Sequence, residues 1–356
     1  MRIVSIAPLA AALFAAFSSA AAAATTLSAG QKISGPHVHE NVAIYFIHGP
    51  SASGAVPLTL SEALAKGRVQ VIETGRVNEL QIENTGDEPV FVQAGDIVKG
   101  GKQDRVLTIS LMLPPNSGLV GISSFCVEQG RWSARGKEDH GKFTSAADAL
   151  PSSRALAIMA APPEHSEAQR IRPAGRAASI DNDVVSRQHR MWESVAKVQA
   201  DLSAGLNARV AAPESATSLQ LSLENERLRE ARAAYIAALE PRGLDGDDVL
   251  GFVVAINGKP ASGNVYPTNG LFRKMWSKQL AAAVTEAISE KLAETKTEPP
   301  TTGTIEEFLA AAEAGAPHER ETALRMRQET RDAAETLYNE TRTATGEWLH
   351  RAYVRK

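Results

Sequence analysis

The sequence predicts an α+β fold: an N-terminal antiparallel β sandwich or barrel-like sheet combined with a helical C-terminal half whose strands join the sheet. Three observations carry this expectation. From about residue 38 to 132, apolar residues alternate with polar ones at period two between small polar turns. From about residue 192 they recur at three- and four-residue spacing, as in helices buried along one face. An apolar strand, Val249 to Ile256, and a short closing strand near Leu349 to Val354 come after the first helices, so a last strand can return to the first sheet.

In chain order, Val42, Ile44 and Phe46 alternate with Ala43, Tyr45 and Ile47 in a first strand, and a short helix covers Ser61 to Ala65. Strands follow over Arg68 to Glu73 and Val77 to Asn84; in the second, Leu80 and Ile82 face away from Glu79, Gln81 and Glu83. Asn84-Thr85-Gly86-Asp87 is a turn before a short strand, Val90 to Gln93. Leu107, Ile109, Leu111 and Leu113 share one face of the next strand, and Pro114 to Gly118 turns the chain into a strand ending at Glu128. Residues 133–181, rich in Ala, Pro, Ser and Arg, read as irregular, with one short strand at Arg154 to Met159.

Helices then take over. Trp192, Val195, Val198 and Leu202 form one stripe, and Leu228, Ala231, Tyr235 and Leu239 form another, ended by Pro241 and Gly243. Val249 to Ile256 runs into Asn257-Gly258, a two-residue hairpin signal. Phe272, Trp276, Leu280, Val284, Ile288 and Leu292 mark a long helix. After Pro299-Pro300, Thr304 and Glu307 form a capping-box pattern. A highly charged helix from about His318 to Tyr338 follows; its i,i+4 pairs give a solvated face or a surface for a protein partner.

Residues 1–24 read as an export signal. Arg2 is the positive end, Ile3 to Phe17 is apolar except for Ser5 and Pro8, and Ser18 to Ala24 offers small-residue cleavage sites. The apolar run is shorter than the ~20 residues of a spanning helix, so no membrane span is expected. The expected location is periplasmic or secreted, after cleavage. Beyond the signal, residues 25–136 form a β-rich half, 137–181 an irregular connection, and 182–356 a helix-rich half integrated with the first. Apolar content of 43% and charged content of 22% are those of an ordinary globular chain. A net charge of −3 gives no electrostatic reason for a nucleic-acid partner. The single cysteine excludes an internal disulfide.

Two polar clusters, at the ends of neighbouring predicted strands, concentrate the chemistry. Gly100-Gly101-Lys102-Gln103-Asp104-Arg105 can present backbone N–H groups and two cations to an anion; the same residues also suit a solvated hairpin turn. Cys126-Val127-Glu128-Gln129-Gly130-Arg131-Trp132 holds the cysteine, with Cys126 and Glu128 on one strand face. A thiolate beside Arg105 or Arg131 would be a nucleophile, whereas the same-face carboxylate and burial favour an inert core thiol. Glu128, Arg131, Asp104 and Arg105 equally suit an ion-pair network, and Trp132 a core plug. His37-Val38-His39-Glu40 has metal-ligand residue types, but on a strand Glu40 points away from both histidines, so no metal site is assigned. Nothing in the motifs specifies a cofactor.

The segments TLSEAL (59–64), VIE (71–73), ELQIENTGDEPVFV (79–92), GDIVKGGKQDRV (95–106) and CVEQGRW (126–132) resemble the ARG- and rhodanese-phosphatase-superfamily-associated protein domain. GFVVAINGK (251–259), LFRKMWSKQL (271–280) and LHRAYV (349–354) extend the likeness over nearly the whole chain. The family has no established activity. Its name records association with ADP-ribosylglycohydrolase-type and phosphatase-type proteins, which implies nucleotide-derived or phosphorylated ligands. Asp96 stands where the family commonly has Glu.

The resulting expectation is an exported protein that binds a small anionic or polyol ligand. Its contacts are Gly101, Lys102, Gln103, Arg105, Cys126 and Trp132, together with Asp104, Glu128 and Arg131. The rival expectations are a hydrolase or transferase and an envelope interaction protein. In the enzyme, Glu128 or Asp104 is the general base and Arg131 stabilises negative charge. The interaction protein would use its charged C-terminal helix.

Overall fold

The computed structural model describes residues 30–162, 182–291 and 297–356. The expected export segment, residues 1–24, and Leu292 of the expected long helix lie outside them. The fold is α+β.

Strands β1 (Lys32–His39) and β2 (Val42–His48) form an antiparallel hairpin. Next, β3 (Leu58–Thr59) leads into α1 (Leu60–Ala65), which starts at a complete capping box between Thr59 and Glu62. The β-rich part continues through β4 (Val69–Arg76), β5 (Glu79–Asn84), β6 (Val90–Val92) and β7 (Ile97–Gly100). It ends with β8 (Arg105–Leu107), β9 (Leu111–Leu113), β10 (Val120–Cys126) and β11 (Lys142–Ser145). Six strands close into a barrel, in the order β10-β5-β4-β11-β7-β8, while β3, β6 and β9 make a small separate sheet. The strand expected through Leu107, Ile109, Leu111 and Leu113 is therefore two strands. All four side chains are buried, as alternation requires, but alternation is blind to a change of sheet at Thr108–Ser110.

The expected strand at Arg154 to Met159 is instead α2 (Ser153–Ala160). The Ser152 side chain caps it at the Ala155 amide, and Ala155 and Met159, one turn apart, are buried. Then come α3 (Asn182–Gly205), α4 (Leu219–Leu223) and α5 (Glu226–Leu244). The last ends at Leu244, one residue past Gly243, with Pro241 in its final turn. Gly243 lies under the Trp276 indole, where a Cβ would come within 2.4 Å of Nε1, and that N–H donates to the Glu240 carbonyl.

The Asn257-Gly258 turn joins β12 (Val249–Ile256) to β13 (Lys259–Val265), as its dipeptide predicts. The long helix is α6 (Asn269–Ser289). Helix α7 (Thr302–Glu313) starts three residues before the expected cap: Thr301 accepts the Thr304 amide. The charged helix at His318 to Tyr338 is absent. That stretch forms β14 (Ala316–Glu321), β15 (Arg327–Asp332) and the start of β16 (Thr336–Arg342). In β15 only Gln328 and Thr330 are buried, a period of two, and sheet pairing outweighs the i,i+4 charges that suggested a helix. The partner surface expected on that helix therefore has no helix to carry it.

Finally β17 (Trp348–Arg355) pairs with β13, so the eight-stranded order is β1-β2-β12-β13-β17-β16-β15-β14. The last strand thus returns to the sheet that holds the first. One core lies between this sheet and helices α3, α5 and α6, with Phe46, Phe252, Phe272 and Trp276 fully buried and in ring contact. Each such side chain stabilises the fold by roughly 1.5–3 kcal/mol. A second core fills the barrel, and a third lies under α7.

Candidate functional site

The two motifs meet at one end of the barrel. Strands β8 and β10 pair with Cys126 opposite Arg105, so the turn before β8 and the loop after β10 lie side by side. Gly101 (φ 55°) is in the left-handed region, and a Cβ there would lie 2.5 Å from the Phe143 ring. Only glycine fits this turn.

Asp104 and Glu128 are both fully buried. Asp104 accepts from the Gly100 amide at 2.9 Å, from Arg135 at 3.0 and 3.2 Å, and from the Ser218 hydroxyl at 2.7 Å. Glu128 accepts from the Asp104 amide (2.9 Å), Arg131 Nε (2.7 Å), Arg135 Nη1 (3.4 Å) and the Ser215 hydroxyl (2.5 Å). Arg131 also donates to the carbonyls of Gly100, Gly101 and Ser133. Burial alone would raise the Glu128 carboxyl; the hydrogen bonds from Arg131, Ser215 and the Asp104 amide hold it below the usual range. Burial likewise opposes the charge on Arg135, but Asp104, Glu138 and Glu128 push its pKa further up. This is an ion-pair network, closed on itself.

The backbone donors of the glycine turn are also occupied. Gly101 N–H bonds the Lys142 carbonyl, and the Lys102 amide lies 3.3 Å from Glu73. Carboxylates from within the chain take the positions an external anion would need. Gln103 is buried and donates to the Glu128 carbonyl at 2.8 Å, a structural tie between the motifs.

Arg105 is fully buried, donating to the Val77 carbonyl (2.7 Å), to Glu73 (3.3 Å) and to Cys126 Sγ. The Cys126 backbone is gripped on both sides by the Gln188 amide of α3. Burial pushes the Cys126 thiol up to about 11; Arg105 pulls it down, and Glu73 and Glu128 add to the rise. The thiol is protonated at neutral pH. Trp132 is 46% exposed rather than a core plug, with Lys102 Nζ 5.1 Å and Arg105 Cζ 5.8 Å from its ring centre.

A residue-type search of the motifs misses Arg135, Ser215, Ser218, Gln188 and Glu73. Arg135 follows Arg131 by four, a weak hint; the others come from α3, the α3–α4 connection and β4, far off in sequence. Beside the network opens a cleft of about 1050 Å³. Its walls are Arg131, Ser133, Arg135 and Glu138 from the loop after β10, Arg209 to Glu214 from the α3–α4 connection, and Leu221, Glu224 and Asn225 around α4. Of its three arginines, only Arg209 makes no side-chain hydrogen bond or ion pair among the described residues. Among the described residues, no cluster of three or more His, Cys, Asp or Glu is placed to hold a metal ion, and no helix is long and apolar enough to cross a membrane.

With this geometry in view, the family model described as ARG and Rhodanese-Phosphatase-superfamily-associated Protein domain (ARPP-1) matches residues 30–354. The chain belongs to this family. The match takes in both β1 and β17, so the barrel and the eight-stranded sheet alike fall within one ARPP-1 domain. No curated protein and no solved structure matches the chain.

Proposed function

We propose that this ARPP-1 protein binds a small polyol carrying one anionic group, such as a sugar phosphate, in the cleft beside the motif network. One observation supports the reading: the cleft is lined by both guanidinium and carboxylate groups, Arg131, Arg135 and Arg209 against Glu138, Glu214 and Glu224. Carboxylates accept from hydroxyls, and a guanidinium fork grips a phosphate. Arg131 and Arg135 are already neutralised by Asp104 and Glu128, which leaves Arg209 for the anion. Glu138 is likewise paired with Arg135 and Glu224 with Lys99, which leaves Glu214 to accept a ligand hydroxyl and to disfavour a second negative group. A general-base role for Glu128 or Asp104 is the less favoured reading, because both are buried with their oxygens engaged. We further propose that the protein acts outside the cytoplasm after cleavage near Ala24, which N-terminal sequencing of the exported form checks.

Calorimetric titration with ribose 5-phosphate, ribose and inorganic phosphate tests the binding reading. Ribose 5-phosphate should bind tightest, and Arg209→Ala should reduce its affinity by roughly tenfold or more while leaving ribose unaffected, since hydrogen bonds to charged groups contribute about 1.5–3 kcal/mol. No binding of any of the three at millimolar concentration would overturn it.

A further inference from the structure

The connection between α3 and α4 covers the carboxylate pair in a way that core packing does not require. Its two ends are anchored, Val210 and Leu219 being fully buried in the main core. Nothing from residue 211 to 217 belongs to a hydrophobic core. What holds this stretch down is side-chain hydrogen bonding: Ser215 Oγ donates to Glu128 Oε1 at 2.5 Å, Thr217 Oγ1 to the Gln129 carbonyl at 2.7 Å, and the Gln199 side-chain amide of α3 to the Ala216 carbonyl at 3.1 Å. Ser218 differs, since it donates to Asp104 while accepting the Leu221 amide as the cap of α4, and so stays with its helix. The outer face of the same stretch, Ala212, Pro213 and Glu214, is a wall of the cleft.

We infer that residues 211–217 are a strap clipped shut by Ser215 and Thr217 with Gln199 as a third tie, and that the Ser215 hydroxyl holds the place that a ligand hydroxyl takes on Glu128 when the strap lifts. The exchange replaces one O–H donor by another, so Glu128 is never left without a partner in a buried site. It also selects the ligand. An O–H group can enter against the Glu128 carboxylate, whereas a phosphate or carboxylate there would meet like charge. Arg131 and Arg135, bonded to the same Glu128 oxygen and lining the cleft, would then frame the incoming hydroxyl. The ligand assignment rests on the polyol-binding reading above; the strap itself does not.

The test is carboxyl footprinting of the native mature protein with a carbodiimide and glycinamide, read by peptide mass at Glu128. In the wild type Glu128 should label slowly. In Ser215→Ala it should label roughly tenfold faster or more, which corresponds to about 1.4 kcal/mol in the opening equilibrium. Ser215→Thr, which keeps a hydroxyl, should behave as the wild type. Ribose 5-phosphate should protect Glu128 in the Ser215→Ala protein. Labelling of Ser215→Ala at the wild-type rate overturns the strap. If that variant fails to fold, Thr217→Ala removes another clip without orphaning a carboxylate, and wild-type labelling of Glu128 there overturns it equally. Fast labelling that neither ribose nor ribose 5-phosphate suppresses keeps the strap and overturns the ligand assignment.

Discussion

Glu286 should make the stability of this protein fall as pH rises. It lies on α6, is buried, and accepts from the Ser153 amide at 2.5 Å and the Ser153 hydroxyl at 3.1 Å, at the start of α2. Burial raises its carboxyl to about 7, with Glu290 adding to the rise and Ser153 and Arg355 opposing it. The reference value is 4.5, so the folded state holds this proton more tightly than the unfolded chain. A carboxyl raised on folding contributes its full stabilisation below the unfolded pKa and loses it as pH climbs through the folded one. Between pH 4.5 and about 7 the loss approaches 1.4 kcal/mol per pH unit and totals about 3 kcal/mol.

Glu286→Gln is the matching perturbation. It keeps an acceptor for the Ser153 amide, cannot ionise, and should remove this component of the pH dependence. Urea unfolding of both proteins from pH 4 to 8.5 isolates the residue, because the other titrations cancel in the difference. The two should be close in stability at pH 4, with the variant more stable by about 3 kcal/mol at pH 8. A flat difference curve, or a variant that is the less stable one at pH 8, would refute the reasoning.

Two further outcomes concern the motif network. Glu128→Gln and Asp104→Asn should each destabilise the protein by about 1.5–3 kcal/mol in chemical unfolding, because each turns a charged hydrogen-bond acceptor of the network into a neutral one while Arg131 and Arg135 keep the other carboxylate; a loss under 1 kcal/mol would show that the network is not tied to the fold. Cys126 should react with thiol reagents only on unfolding, since it is buried with its thiol pushed up to about 11, and Cys126→Ser should cost about 1–3 kcal/mol. Rapid labelling of the native protein at neutral pH would contradict this.

Where local periodicity and tertiary packing agree, the sequence is a faithful guide to this fold. Val42 to Ile47, Glu79 to Asn84, Val249 to Ile256 with its Asn-Gly turn, and the Phe272 to Ile288 stripe are all legible, because side-chain direction follows from the 2.0 and 3.6 repeats alone. Where they compete, it misleads. Arg154 to Met159 read as a strand where the chain forms a helix capped by Ser152, and the charges of residues 318–338 suit a helix until a neighbouring strand offers its hydrogen bonds.

The candidate site divides the same way. Asp104, Glu128 and Arg131 stand out as residue types within two short motifs, so where chemistry gathers could be read from the chain. What they are joined to could not. Arg135, Ser215 and Ser218 bind those carboxylates from distances of up to 114 residues in sequence, and burial, which turns charged surface residues into a closed network, is a property of the whole fold. By itself the sequence determined the α+β class, the family and the two motifs. Only the tertiary structure decided that the carboxylates face inward, that the open cleft lies beside them, and that a loop from the helical half covers them, because long-range contacts are set by the packing of whole elements and leave no local periodicity behind.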